Sequence, residues 1–452
     1  CANILFRHIV RIRKRKRMKK IIAAAFLVGL AVQVSAQSGT NSPYSQYGLG
    51  ALASQATSFN RGMNGLAYGF HERNQVNYAN PASYASVDSL SFIFDAGVSL
   101  QLTNFEENGN KVNAKNADIE YVVASFRAFK HVGISFGLLP YTNVGYNFSN
   151  TQNVNAFPST SSVNATYSNA YNGSGGLHLV YLGAGWEPFK GFSFGANIGY
   201  LWGTLNRNST NTYSDSYVNT LSKNYSAQVK SYKVDFGAQY TYAVDKKNEL
   251  TLGLTYSLGH NLGTEAECNL ISTNSQTSIS DTTRYVVSNS LELPHTFGVG
   301  LMWNHNNRLK FGVDYQLQKW AKLKYPQLTT VNGTTSYNLV DGQFNDRHKF
   351  TLGGDYCKGE RYRGFFSRMH YRAGFSYASP YLKINGVDGP RELSASLGVG
   401  IPILNAYNNR SMLNISAEWV NQSVTGMIKE NMFRINVGFT FNERWFAKFK
   451  VE

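Results

Sequence analysis

Residues 232–244 read YKVDFGAQYTYAV, and every second residue from Tyr232 to Val244 is apolar or aromatic. The same alternation recurs in 250–258, 309–317 and 433–441. Successive side chains of a β-strand point to opposite faces of the sheet. A period of two therefore predicts strands with one apolar and one polar face.

The polar face of these segments decides between a soluble β-sandwich and a transmembrane β-barrel. In 250–258 it consists of Thr251, Gly253, Thr255 and Ser257, whereas we expect the solvated face of a soluble sheet to be rich in Lys and Glu. The segments also reach the roughly 9–11 residues that a transmembrane strand needs, against about 5–6 in soluble proteins. Apolar residues toward lipid and small polar residues toward the lumen are typical of outer-membrane barrels.

The composition of the 452-residue chain agrees with a barrel and excludes other classes. Hydrophobic residues make up 42%, aromatic residues 14% and charged residues only 15%. Disordered chains have many charges and few aromatic residues, so disorder is excluded. The sequence has no run of about 18 or more apolar residues, which excludes a transmembrane helix.

Residues 1–36 have the three parts of a secretory signal peptide. Many basic and no acidic residues precede a short apolar run, 21–32, and the small-residue cleavage site 34–36. We expect cleavage after residue 36, and Met18 is a candidate start, which puts residues 1–17 upstream of the protein. Without the signal the net charge falls from +16 to about +7. Because the basic run adjoins the apolar run, we expect no nucleic-acid partner.

The rest of the chain divides into fourteen alternating segments, and bacterial single-chain barrels have an even number of strands. An all-β, antiparallel transmembrane β-barrel of about 14 strands is therefore predicted for residues 89–442. The predicted strands are 90–104, 117–129, 132–148, 174–187, 190–206, 229–244, 249–263, 287–304, 308–324, 347–357, 368–385, 391–403, 411–424 and 431–442.

Short and long connections alternate between these strands. Barrels have short periplasmic turns and long outer loops, so we expect both termini in the periplasm. This arrangement predicts a protein of the outer membrane of a Gram-negative bacterium, surrounded by outer-membrane lipid. The predicted outer loops are 105–116, 149–173, 207–228, 264–286 and 325–346.

Residues 37–88 lack the alternation and are predicted to form a plug, or hatch, inside the barrel. The segment is rich in glycine and contains aromatic residues such as Tyr44 and Phe59. The alternative is a disordered periplasmic tail. The aromatic residues argue against it, because disordered segments contain few of them. Residues 443–452 are expected to form a basic and aromatic tail in the periplasm. The candidate plug residues are Arg61, Arg73, Asn80, Pro81 and Ala82.

A stretch rich in small residues that ends in Asn80-Pro81-Ala82, a few residues before the first strand, resembles the FadL-like outer-membrane barrels. This group includes the PorV-type proteins of type 9 secretion. The resemblance covers nearly the whole mature chain and implies a fourteen-stranded barrel with an N-terminal hatch.

Pro140 lies in the middle of the third predicted strand, GISFGLLPYTNVGYNF. Proline removes a ladder donor, so it marks an edge, a bulge or a break. FadL-type transporters are similar in having a third-strand kink that opens sideways to the membrane, which makes Pro140 a candidate lateral opening. The alternative is a bulge that only bends the wall.

The last predicted strand looks like the signal that the barrel-assembly machinery reads during insertion. The residues of this candidate signal are Arg434, Val437, Phe439 and Phe441. The chain departs from the usual pattern because Asn442 to Glu452 follow the strand.

Catalytic motifs and metal-binding spacings are missing from the sequence, so we expect neither an enzyme nor a cofactor. Cys268 and Cys357 are expected to stay unpaired. Three functions remain, and the third, a barrel enzyme, has only scattered polar residues to support it. The first is passive uptake of small hydrophobic molecules through the plugged lumen, with lateral exit. The second is a non-transporting barrel subunit of an outer-membrane assembly or type 9 secretion complex, with outer-membrane or periplasmic protein partners.

Overall fold

The computed structural model describes residues 39–153, 166–359, 362–404 and 410–444. Within these residues fourteen antiparallel strands form a closed barrel, which confirms the predicted fold. Each strand pairs with the next along the chain, and β14 closes the ring on β1. The strands are β1 Ser91–Glu107, β2 Asn110–Phe129, β3 Val132–Asn153, β4 Thr166–Phe189, β5 Phe192–Tyr213, β6 Thr220–Ala243, β7 Asn248–Ser257, β8 Thr296–His305, β9 Leu309–Gln318, β10 Arg347–Tyr356, β11 His370–Ala378, β12 Arg391–Leu404, β13 Arg410–Ser423 and β14 Lys429–Arg444.

Polar side chains of the barrel wall point inward and apolar side chains point outward, the reverse of a soluble protein. On β1, Ser99 and Gln101 are buried, whereas Val98, Leu100 and Leu102 are 46%, 60% and 45% exposed. Apolar side chains in such numbers on the outer surface of the strands are stable only against lipid. The alternation in the sequence therefore places polar residues in the lumen and apolar residues toward the membrane.

The barrel has a turn end, where β2 and β3 are joined by residues 130–131, and a loop end opposite to it. The connections 105–116 and 207–228, which were predicted as long loops, consist mostly of paired strand. β1 and β2 continue to the turn Asn108-Gly109, whose φ angles are 49° and 83°. Asn-Gly is a strong hairpin signal, but it lies beyond the apolar band and therefore outside the alternation.

Four predicted strands reach too far toward the loop end. Their alternation continues into residues that leave the wall and form hairpins of the outer loops, such as Val287. The observed bounds are 248–257, 296–305, 309–318 and 370–378, in place of the predicted 249–263, 287–304, 308–324 and 368–385.

The outer loops pack together in one buried apolar cluster at the loop end. Trp320 is 1% exposed, and its ring lies 5.7 Å from that of Phe344 and 5.1 Å from that of Tyr381. Leu49 of the N-terminal residues belongs to the same cluster. The paired segments of these loops are Ala266–Thr273 with Ser280–Val287, Tyr325–Val331 with Thr334–Val340, His260–Asn261 with Glu292–Leu293, and Lys383–Ile384 with Val387–Asp388.

The residues before β1 contain only short elements. They are a 3₁₀-helix at Pro43–Gln46, a strand at Ala51–Leu52, the helix α1 at Ser58–Arg61 and a second 3₁₀-helix at Pro81–Ser86. A further helix, α2 at Phe365–Arg368, lies between β10 and β11. No helix among the described residues has the length and hydropathy to cross a membrane. Cys268 and Cys357 are buried free thiols, as expected.

Candidate functional site

The Asn80-Pro81-Ala82 turn lies against glycines of the barrel wall. Asn80 caps the second 3₁₀-helix, since its side chain accepts a hydrogen bond from the N–H of Ala82 at 3.1 Å. A Cβ atom on Gly185 of β4 or on Gly195 of β5 would lie 2.5 Å from the carbonyl oxygen of Pro81. Only glycine permits this approach of two backbones.

The N-terminal segment, residues 39–88, continues around the inner wall in the same way. Tyr68 and Gly69 lie against glycines of β7 and β8, Met63 lies against glycines of β10 and β11, and Ser58 lies against glycines of β1 and β14. Most strands of the barrel therefore present a glycine to this segment at one level of the lumen. These wall glycines are Gly97, Gly133, Gly185, Gly195, Gly237, Gly253, Gly300, Gly353, Gly374, Gly398 and Gly438.

Arg61 links the segment to strands β2 and β14 of the wall. It is 3% exposed, and its guanidinium is 2.6 Å from the carboxylate of Glu120 on β2 and 3.2 Å from the amide oxygen of Asn436 on β14. Among the candidate plug residues, Arg73 differs because its side chain is exposed. The structure thus brings Arg61, Asn80, Pro81 and Ala82 against the wall.

Two further polar contacts hold the segment, and neither involves a site residue predicted from the sequence. The carboxylate of Asp314 on β9 accepts the backbone N–H groups of Ala67 at 2.7 Å and Tyr68 at 3.0 Å. Lys310, also on β9, forms an ion pair with Glu72. The available signal was a charged residue on the lumen face of an alternating strand, but the strand alone does not reveal its partner.

A cavity of about 230 Å³ lies on the loop side of this contact level. Its lining is strongly charged, and much of the charge is already paired. Arg434 lies 3.1 Å from Glu418, and Arg347 lies 3.5 Å from Glu392. The charged lining residues are Arg61, Asp118, Glu120, Asp314, Arg347, Lys349, Glu392, Glu418 and Arg434.

The barrel wall separates between β2 and β3. Their pairing ends at Val122 and Leu138, although β2 stays paired with β1 up to Asn110 and β3 with β4 up to Asn153. The register of the β3–β4 pair shifts just beyond this point, between Pro140 and Thr142. Pro140 therefore lies at a bulge and beside the stretch where β2 and β3 are not paired, which we call the seam.

Residues 39–55, which we call the strap, lie across the seam from the lumen side. Ala51 and Leu52 pair with Asn143 and Thr142 of β3. The hydroxyl of Ser45 contacts the backbone N–H of Gly145 at 3.2 Å.

The strap also reaches β14 on the other side of the seam. The hydroxyl of Ser42 donates to Glu430 at 2.6 Å, and that of Tyr44 donates to the carbonyl of Ile428 at 2.5 Å. Burial, with a contribution from Glu430, raises the pKa of Tyr44, so the phenol stays a neutral donor. The strap therefore covers the stretch that β2 and β3 leave unpaired.

The residues of the candidate assembly signal lie on two faces of β14. Arg434 points into the lumen and donates to Gln101 at 2.6 Å as well as to Glu418. Phe439 is 40% exposed on the lipid face, and Val437 and Phe441 share that face. No group of metal-ligating side chains converges anywhere in the described part of the chain.

Solved structures of outer-membrane channels have a similar fold. The toluene transporter TodX of Pseudomonas putida matches with a TM-score of 0.61 and 13% identity, over 87% of this chain and 100% of that chain. The toluene transporter TbuX of Ralstonia pickettii matches with 0.58 and 14%, over 87% and 99%. A FadL homologue of Pseudomonas aeruginosa matches with 0.58 and 13%, over 86% and 99%. The FadL-like part of the expected resemblance is confirmed for the fold, and the PorV-type part is not specifically supported.

A search of curated proteins gave no match to the chain. The family model BamG matches residues 18–452, nearly the whole length. The chain belongs to the BamG family.

Proposed function

We propose that the chain is a non-transporting barrel subunit of an outer-membrane complex that assembles other β-barrel proteins. The observation that carries the proposal is the extensive contact of residues 39–88 with the barrel wall. Residues 39–88 act as a plug that contacts glycines on most strands, and the outer loops join in one apolar cluster over the barrel mouth. A barrel closed at two levels suits a scaffold better than a channel.

The charges inside the barrel support the same proposal. A path for small hydrophobic molecules needs an apolar lining, because ligand sites for such molecules bury most of the ligand against apolar side chains. The cavity beyond the plug is lined instead by nine charged side chains. Several of these side chains form ion pairs with each other, so they stabilise the closed interior and offer little to an apolar solute.

The family name gives a second line of support, since BamG points to the barrel-assembly machinery. This proposal implies a barrel surrounded by outer-membrane lipid. It also implies protein partners at the loop end or the turn end of the barrel. We place the protein in the outer membrane of a Gram-negative bacterium, with the turn end and both termini in the periplasm.

Affinity purification in mild detergent tests this role directly. A tag inserted at the exposed turn Asn332-Gly333 avoids the barrel wall. We expect stoichiometric co-purification of the core insertase of the assembly machinery, and lower levels of other outer-membrane barrels when the chain is depleted. As a control, the same tag on an unrelated outer-membrane barrel should recover no insertase. Recovery of the chain alone, with unchanged barrel levels after depletion, contradicts the proposal.

Passive uptake of hydrophobic molecules is the second candidate function, and the seam favours it. The cavity reaches the seam, where it is lined by Asp118, Tyr141 and Asn143. In this alternative a ligand leaves the lumen sideways near Pro140, as we infer from the FadL-like fold, after the plug moves near Asn80–Ala82.

A disulfide across the seam tests the uptake function. Ala51 and Asn143 are paired neighbours, so A51C with N143C closes the strap onto β3 when oxidised. If the chain transports, uptake of a labelled hydrophobic probe into liposomes containing the purified barrel falls on oxidation and returns on reduction. The control is the single variant A51C. Equal uptake in the oxidised and reduced states, or no uptake above empty liposomes, rules out this route.

A further inference from the structure

The edge of β3 beyond the seam is unprotected backbone. Within the described residues, β3 is paired with β4 as far as Asn153, but the edge facing β2 carries a partner strand only at Thr142 and Asn143. The N–H and C=O groups of alternate residues point to the same side of an antiparallel strand. The carbonyl of Tyr141 and the N–H of Gly145 face the seam, so Asn147 and Ser149 present theirs to the same side.

The strap already shows that this edge accepts an extended chain. The N–H of Ala53 donates to the carbonyl of Tyr141 at 3.0 Å, and the side-chain amide of Gln55 donates to the carbonyl of Pro140 at 3.0 Å. Beyond Ala51 the strap turns away, since Gly50 and Gly48 have φ angles of 98° and 57°. The strap reaches the edge once more where the hydroxyl of Ser45 contacts the N–H of Gly145, so among the described residues the edge is open from Asn147 to Asn153.

The sequence of this edge lacks the usual protection against strand addition. Natural edge strands are blunted by charged residues, proline or bulges. Residues 147–153 read NFSNTQN, without a charge or a proline. Another outer edge, 280–287, which pairs only with 266–273 among the described strands, contains Asp281 and Arg284, and Arg284 forms an ion pair with Glu267. The β2 edge that faces the seam also carries charges, such as Lys111 and Lys115. The edge of β3 at 147–153 carries none.

We propose that residues 147–153 of β3 form a docking edge for an extended segment of a partner protein, which adds to the outer sheet as an antiparallel strand on the side of β3 where Ala51–Leu52 pairs. The backbone of the partner supplies the hydrogen bonds, as in other cases of β-strand addition. The partner is a protein because only another peptide backbone matches a row of alternating N–H and C=O groups. The proposal deepens the proposed function, on which it rests for the presence of a partner chain.

Hydrogen exchange on the purified full-length barrel in detergent tests the docking edge. The probe is the peptide KKTVTVTVKK, and its matched control is KKTPTPTPKK, which cannot form a strand ladder. We expect the probe to slow exchange of backbone amides in 147–153 but not in 280–287, and the control peptide to have no effect. Equal exchange with and without the probe, or equal slowing of both edges, overturns the proposal.

Substitutions at the edge provide a second measurement. N147P with S149P removes two seam-facing donors, whereas N147A with S149A keeps them. We expect loss of the slowed exchange in the proline variant and retention in the alanine variant, with the heat-dependent gel shift of a folded barrel checked in both. Retained slowing in a folded proline variant contradicts the docking edge. Because the probe is a defined peptide, this result stands apart from the co-purification experiment, whose failure would instead count against the assembly role.

Discussion

Replacing Gly185 by valine displaces residues 81–85 from the barrel wall. A Cβ atom at this position would lie 2.5 Å from the carbonyl oxygen of Pro81 and 3.0 Å from the backbone nitrogen of Ala85. Backbone atoms cannot move aside as a flexible side chain does. Overpacking of this kind typically costs about 1–3 kcal/mol, and contact with backbone places G185V at or above the upper limit. Limited digestion with proteinase K, followed by mass spectrometry, should show cleavage within 75–88 in the variant but not in the wild type.

Gly364 provides the matched control for this experiment. It precedes α2 with a φ angle of −70°, and a Cβ atom there would meet nothing closer than 3.4 Å. G364V should therefore leave the digestion pattern and the heat-dependent gel shift unchanged. Equal protection of 75–88 in G185V and G364V would show that the segment is not seated on the wall glycines.

Removing the guanidinium of Arg61 leaves the carboxylate of Glu120 buried without its ion-pair partner. Loss of one partner of a buried pair typically costs about 3–5 kcal/mol. We expect R61M to lower the temperature at which residues 39–88 become accessible to protease, well before the barrel itself unfolds. Replacing both partners, in R61M with E120M, should restore part of this loss, because no buried charge remains.

The exposed pair of Arg284 and Glu267 serves as the control for Arg61. The side chain of Arg284 is 61% exposed, and ion pairs at the surface contribute about 0–1 kcal/mol. R284M should therefore leave the protease profile of residues 39–88 unchanged. If R61M and R284M behave alike, the ion pair of Arg61 does not hold the segment.

The barrel could be predicted because its signal is local and repeated. Each strand carries the alternation independently, so an error at one end, as in the predicted 249–263, leaves the count of strands intact. The predicted ends of the strands were wrong where the apolar band ends. Beyond it the same polar residues occur in paired strand, as at Asn110–Lys115, and in true loops.

The contacts of the N-terminal segment could be predicted only in part. The composition of 37–88 indicated a folded segment, and Arg61 and Asn80 do contact the wall. Glu120, Asp314 and the wall glycines are spread over more than 300 positions of sequence, and glycine within a strand is equally compatible with a turn or a lipid-facing position. Their common level in the lumen follows from strand register, which the alternation alone does not set.

Closure of the ring between β1 and β14 has a consequence for biogenesis. Ser58 of the segment lies between Gly97 of β1 and Gly438 of β14, so the segment touches both strands that close the ring. Residues 39–88 precede the barrel strands in the chain and are synthesised before them. We therefore expect the segment to be enclosed when the last strand pairs with the first.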